Sequence, residues 1–194
     1  MSVVAQPQAD LVARYSGNLP RYTSYPTAAS FTEAVGSPQV EQWLAALPAS
    51  EPVSLYFHVP FCDELCRFCG CNTSVMRHES GRVAYADLLR EELHRYVQAL
   101  GGQRRVGHVQ FGGGTPTTLP AAPLRALLRV VRLWFSLEPQ PELSLELHPR
   151  PLPPGRLDLL ARLGFTRVPP RAQAIHPRVH GAAQPPQSLE PRAA

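Results

Sequence analysis

Lysine is absent from this chain of 194 residues, so every basic side chain is arginine. That excludes a phosphate-binding P-loop, which needs a Gly-Lys-Ser/Thr step after its glycines. Long apolar runs are missing too, and with them any expectation of a bilayer-spanning helix. The opening Met1-Ser2-Val3-Val4-Ala5-Gln6-Pro7 has no basic region followed by an apolar core, so no secretory signal is expected. A soluble, cytoplasmic protein with no membrane partner follows as the expectation. The formal charge is +4, but no basic face interleaved with aromatics accompanies it, so no nucleic-acid partner is expected. Cysteine is missing everywhere except between Cys62 and Cys71, where all 4 occur. A disulfide framework would spread its cysteines to staple distant segments. Clustering points instead to a metal.

Proline is abundant, at 22 residues, and 12 of these lie from Pro139 onward. Proline removes a backbone donor and restricts its predecessor. An ordered middle and a disordered Pro/Arg-rich tail are therefore expected. From Arg150 onward there are 7 arginines against Asp158 and Glu190 alone, so much of the basic excess sits in that tail.

Residues 1–50 read as an irregular N-terminal extension, with a short helix from about Pro38 to Leu47 carrying Val40, Trp43, Leu44 and Leu47 on one face. Val53-Ser54-Leu55-Tyr56-Phe57-His58-Val59 alternates as a strand does, and Pro60 stops it. A helix is expected from about Arg82 to Leu100, with Tyr85, Leu89, Leu93 and Val97 in a stripe widened by Tyr96 and Leu100. Gly101-Gly102 ends it. A second strand, Val106 to Phe111, runs into Gly112-Gly113-Gly114-Thr115-Pro116-Thr117. A helix from about Ala121 to Phe135 would bury Leu124, Leu127, Leu128, Val131 and Trp134. A third strand reads Leu143 to Leu147, a third helix in this series Arg156 to Leu163, and a fourth strand starts near Phe165 before Pro169-Pro170. Such strand–helix alternation predicts the α/β class, with right-handed βαβ units on a parallel sheet. In such folds ligands gather at the carboxyl ends of the strands. The cysteine loop, the glycine loop and Glu146 all fall on that edge.

Cys62, Cys66 and Cys69 have the spacing C-x3-C-x2-C. Closely spaced thiolates on one loop can wrap an iron–sulfur cubane, and three of them leave one iron open for chemistry. A structural zinc knot stays open as the alternative, although typical zinc sites pair two C-x-x-C-like units across a longer spacer. Cys71 could be a further ligand or could face the reaction chamber. Tyr56, taken alone, reads as a half-buried strand aromatic, and three successive glycines alone read as a turn that permits close backbone approach.

Tyr56-Phe57-His58-Val59-Pro60-Phe61-Cys62, followed by Cys66, Phe68, Cys69, Gly70 and Cys71, resembles the opening of the radical S-adenosylmethionine (SAM) superfamily. The Cys-Gly-Cys ending, the lead-in Arg21-Tyr22-Thr23-Ser24-Tyr25-Pro26-Thr27 and the motif Gly112 to Thr117 resemble the oxygen-independent coproporphyrinogen III oxidase branch. Related haem chaperones usually lack the last cysteine. The resemblance spans about residues 18–168. It implies a (β/α) barrel, a 4Fe–4S cluster on Cys62, Cys66 and Cys69, and two SAM molecules per active site. Tyr56, Gly113 and Glu146 would contact the first SAM. Phe68, Gly114 and Thr115 would contact the second, and Gln173 aligns with a SAM-contacting glutamine. The implied reaction uses a 5′-deoxyadenosyl radical to convert two propionates of coproporphyrinogen III to the vinyls of protoporphyrinogen IX. An external electron donor and a monomeric state are implied as well.

The sequence also departs from that pattern. His148 stands where an acidic residue is usual, and the family's Asn-Arg pair is replaced near Gln184-Pro185. About four parallel strands cannot close the barrel, so residues 51–168 are expected to form an incomplete one. Residues 169–194 would then be an irregular tail of a truncated or frame-shifted product. A cluster- or haem-binding accessory protein without catalysis, or an inactive fragment, is the alternative to an oxidoreductase.

Overall fold

The alternation of Val53–Val59 is realised as the first strand, β1, of a computed structural model that describes residue 14 and residues 26–66, 69–148 and 152–170. The chain divides into two units, Met1–Ser37 and Pro38–Ala194. In the first, the described residues include one 3-10 turn, Ala28–Ser30. The lead-in up to Tyr25, Phe68, Gln173 and the expected tail beyond residue 170 lie outside the described residues.

The second unit runs α1 (Ser37–Ala46, whose first residue belongs to the other unit), β1, β2 (Phe61–Cys62), β3 (Ser74–Val75), α2 (Glu79–Ala99), β4 (Arg105–Gly113), α3 (Ala121–Trp134), β5 (Ser136–Leu145) and α4 (Arg156–Arg162). The main sheet has the order β1-β4-β5, and both pairings are parallel. Leu55, Phe57 and Val59 lie beside Val109, Phe111 and Gly113, and Val109 and Phe111 beside Leu143 and Leu145. Side chains alternate across a strand, so these apolar residues share one face. They form the core with Ala86, Leu89 and Leu93 of α2 and Leu124, Leu127, Leu128 and Val131 of α3. Phe57 stacks on Phe111 at 4.7 Å, and Phe165 meets Phe111 edge-on at 5.8 Å.

Helix positions agree with the sequence periodicity to within three residues. Not every stripe residue is buried. Trp43 is 54% exposed and α1 buries none of its side chains, while Tyr96 and Trp134 are only partly covered.

Two strand expectations are corrected. The third strand starts at Ser136, not at Leu143, because α3 passes directly into it. The register then jumps from Val106↔Leu137 to His108↔Glu142. Pro139 and Pro141 sit in the extra stretch. Neither can donate to the ladder, so the chain bulges out before pairing resumes. The fourth strand is reduced to single parallel bridges, Ser144↔Arg167 and Leu147↔Pro170. Pro169 still accepts from the Leu147 amide at 2.9 Å, but two successive prolines withdraw donors from both sides of the segment. A short ribbon, β2 paired in parallel with β3, was not legible in the sequence. The described main sheet is open, in the order β1-β4-β5, and not a closed barrel.

Candidate functional site

Tyr56, His58, Gln110, Gly112, Ser144 and Glu146 fall on the alternate positions of the same strands. The ladder places Tyr56 beside Gln110 and Gln110 beside Ser144. Period two puts them on the face opposite the apolar core. Tyr56 is accordingly 56% exposed, while its neighbour Phe57 is 5% exposed. Glu146 lies one residue past β5, and its amide continues the ladder by donating to Phe111 O at 3.0 Å.

The three glycines each leave room for a specific neighbour. A Cβ on Gly112 would lie 2.8 Å from the Tyr56 hydroxyl and 3.2 Å from the Glu146 carboxyl carbon. Both side chains therefore reach over the same patch of backbone. Gly113 has φ +115°, and a Cβ there would meet Val59 O at 2.8 Å and the His58 ring at 2.9 Å. At Gly114 a Cβ would meet Cys62 Sγ at 2.8 Å, with Phe61 O and Pro60 O each at 2.9 Å. The amides of Gly114 and Thr115 donate to Val59 O (2.9 Å) and Phe61 O (2.8 Å). The glycine loop is thus laid directly against the entry to the cysteine loop.

The cysteine loop is tied at its ends and open in its middle. The β2–β3 pairing, Ser74 N to Pro60 O (2.8 Å) and Met76 N to Cys62 O (3.2 Å), closes it. His58, which sequence reasoning did not single out, fastens it from the sheet. Its Nε2 lies 2.8 Å from Asn72 O, and its Nδ1 3.3 Å from the Tyr56 hydroxyl. A carbonyl only accepts, so Nε2 carries a proton and donates to Asn72 O; in the neutral ring Nδ1 then accepts from the Tyr56 hydroxyl. The signal was its position two residues from Tyr56 on the same face.

All four cysteines are thiols, not disulfides. Cys62 is buried and lies 3.4 Å from Thr115 Oγ1. Cys66 is half-buried, while Cys69 and Cys71 are exposed, and Cys69 Sγ lies 3.6 Å from Thr73 Oγ1. Burial pushes the Cys62 thiol pKa up. The Thr115 hydroxyl works against that, and negative charge at Cys66, Cys69 and Asp63 adds to it. Among the described residues no group of three or more His, Cys, Asp or Glu is already gathered as a metal site. The donor set nevertheless fits cluster iron: three soft thiols on one loop, one of them fixed against the glycine loop, and two on the accessible part of the loop.

Behind the loop, Asp63, Arg82, Thr115, His148 and Arg156 line a cavity of about 470 Å³. Arg156 donates to Thr117 O (3.2 Å) and Leu119 O (2.6 Å), which secures the turn after the glycine loop. Burial lowers its pKa. Of the residues expected at the site, the structure brings together Tyr56, Gly113, Gly114, Thr115, Cys62 and Glu146 at one sheet edge. Phe68 and Gln173 are not among the described residues.

The radical SAM superfamily model matches residues 56–193, a span that runs past residue 168. The oxygen-independent coproporphyrinogen III oxidase of Paracoccus denitrificans (strain Pd 1222) is 39% identical over 185 residues, 95% of this chain and 41% of that protein. Its counterpart in Bradyrhizobium diazoefficiens is 37% identical over 188 residues, 96% of this chain and 42% of that protein. The solved coproporphyrinogen III oxidase from Escherichia coli, described as a radical SAM enzyme, superposes with a TM-score of 0.76 at 35% identity over 89% of this chain and 38% of that one. The chain therefore spans about two fifths of the length of these relatives.

Proposed function

This chain belongs to the radical SAM superfamily, and from that membership we propose that it is a portion of an oxygen-independent coproporphyrinogen III oxidase. The family uses a 4Fe–4S cluster and SAM. The observation that carries the finer reading is the convergence of the cysteine loop, the glycine loop, Tyr56 and Glu146 at the carboxyl edge of one parallel sheet. Together with the cluster, bound SAM supplies, on one-electron reduction, an oxidant able to take a hydrogen atom from carbon.

The chain's own residues have separable tasks. Cys62, Cys66 and Cys69 provide three thiolates for the cluster and leave one iron without a protein ligand. Glu146 offers a carboxylate to the amino group or ribose hydroxyls of the first SAM, and a hydrogen bond to a charged group of this kind contributes about 1.5–3 kcal/mol. Tyr56 stands beside it, its hydroxyl oriented by His58. The φ of Gly113 and the bare Cα of Gly114 let the glycine loop lie directly against Val59, Phe61 and Cys62, beside the place proposed for the cluster and cofactor. Gly114 and Thr115, with Phe68 and Gln173, are proposed to contact a second SAM.

In the proposed reaction each of two propionates loses one hydrogen atom to the SAM-derived oxidant, one molecule of carbon dioxide, and one electron to a one-electron acceptor. Each becomes a vinyl, and protoporphyrinogen IX results. An external donor supplies reducing electrons, and the protein acts as a cytoplasmic monomer. No helix among the described residues is long and apolar enough to cross a membrane.

Anaerobic reconstitution with iron and sulfide tests the reading. About four irons per chain, followed by 5′-deoxyadenosine on adding SAM and dithionite, is the expected result. Zinc uptake without sulfide would overturn it. A stable cluster that never cleaves SAM would replace it with the accessory-protein reading. Conversion of coproporphyrinogen III in the same mixture tests the substrate.

A further inference from the structure

Arg82 lies in the first turn of α2, away from the glycine loop and the cysteines in sequence, yet its guanidinium touches both loops. Nε donates to Met76 O at 3.0 Å, and Nη2 donates to the same oxygen. Nη2 also pairs with Asp63 Oδ1 at 2.6 Å. Nη1 donates to Thr118 O at 3.3 Å. The Arg82 side chain is 15% exposed, against 62% for Asp63. The preceding Gly81 leaves space for the Met76 side chain, whose sulfur would lie 2.7 Å from a Cβ there.

These contacts close a ring around Cys62. The Met76 amide donates to Cys62 O, while Met76 O accepts from Arg82. On the other side Thr118 O accepts from Arg82, and the Thr118 amide and hydroxyl both donate to Thr115 O, at 2.9 and 2.7 Å. Thr115 returns to Cys62 through its hydroxyl, 3.4 Å from the sulfur. Cys62 is thus held by its backbone from one arm of the guanidinium and by its thiol from the other. Three separate acceptors, shared among Nε, Nη1 and Nη2, suit the rigid fork of arginine and not the point charge of lysine.

We propose that Arg82 is a positioning residue: a three-way clamp that locks Cys62 against Thr115 before any cluster is bound and keeps that thiol sequestered while Cys69 and Cys71 stay accessible. Its consequence for the cluster rests on the reading of Cys62 as an iron ligand. The clamp itself does not.

The test is alkylation of the cluster-free full chain with iodoacetamide under anaerobic conditions, read site by site by mass spectrometry. Exposed Cys71 is the internal reference, and circular dichroism checks that each variant is folded. Arg82→Gln is expected to raise labelling of Cys62 relative to Cys71 by about tenfold. Arg82→Lys, which keeps only the pair to Asp63, should give an intermediate rise. An unchanged ratio in folded Arg82→Gln overturns the proposal. Should that variant fail to fold, an unchanged ratio in Arg82→Lys, which keeps the charge but loses the carbonyl anchors, does so. In reconstituted protein, Arg82→Gln should also release iron to a chelator about tenfold faster than the parent, and an equal rate overturns the consequence for the cluster. A parent chain that takes up no iron would sink the iron–sulfur reading while leaving the labelling result to judge the clamp.

Discussion

Replacing Gly114 by alanine is expected to destabilise the chain even though it adds a single methyl group. That methyl would lie 2.8 Å from Cys62 Sγ and 2.9 Å from both Phe61 O and Pro60 O, where ordinary carbon contacts begin at about 3.5 Å. Two of the three neighbours are backbone carbonyls, which cannot turn away as a flexible side chain can. Relief requires the glycine loop to lift off the cysteine loop, straining Gly114 N to Val59 O and Thr115 N to Phe61 O. Overpacking of this kind costs about 1–3 kcal/mol, and a lost hydrogen bond about 1 kcal/mol more. The sum, about 2–4 kcal/mol, is a large share of a typical domain's stability. For a chain of this length it lowers Tm by on the order of 10 °C. Thermal unfolding of the cluster-free, reduced chain by far-UV circular dichroism measures it. Gly70→Ala is the control, because nothing lies within 4 Å of its added methyl, so its cost should stay within about 0.5 kcal/mol. A Gly114→Ala protein melting within about 2 °C of the parent, or no lower than Gly70→Ala, would refute the reasoning.

Phe111→Ala should cost about 3–5 kcal/mol, since Phe111 is fully buried between Phe57 and Phe165; a urea titration with unchanged slope checks it. Tyr85 gives an alkaline limb: its hydroxyl donates to His58 O at 2.9 Å, and burial, with Glu92 nearby, raises its pKa above the ordinary 10.0. A raised pKa holds its full stabilisation below the unfolded value and loses it as pH climbs through the folded one. Tyr85→Phe should therefore lose about 1 kcal/mol at neutral pH and flatten the decline in Tm above pH 10.0. Glu146→Gln in reconstituted protein should weaken SAM binding by about tenfold, measured by equilibrium dialysis, with iron content unchanged.

Sequence periodicity located the helices because buried stripes such as Leu124, Leu127, Leu128 and Val131 repeat with the turn of the helix. It missed the early start of β5, since Pro139 and Pro141 break the strand pattern locally while the ladder resumes beyond them. The candidate site was legible where residue type alone narrows the chemistry, as with the cysteines and the glycine triplet. His58 and Arg82 were not legible. A histidine on a strand and an arginine opening a helix are common, and only their partners 14 to 36 residues away give them a task.

By itself, then, the sequence determined the α/β class, the clustering of all four thiols between Cys62 and Cys71, and a glycine triplet, Gly112 to Gly114, that permits close backbone approach. Each is a local property of residue type and spacing. The tertiary structure alone decided that Cys62 would be the buried thiol and Cys69 the exposed one, that Tyr56 and Glu146 would overhang the same glycine, and that one guanidinium would brace both loops. Those outcomes depend on parallel strands bringing residues 31 or more positions apart to a single edge, and no short-range pattern encodes that distance.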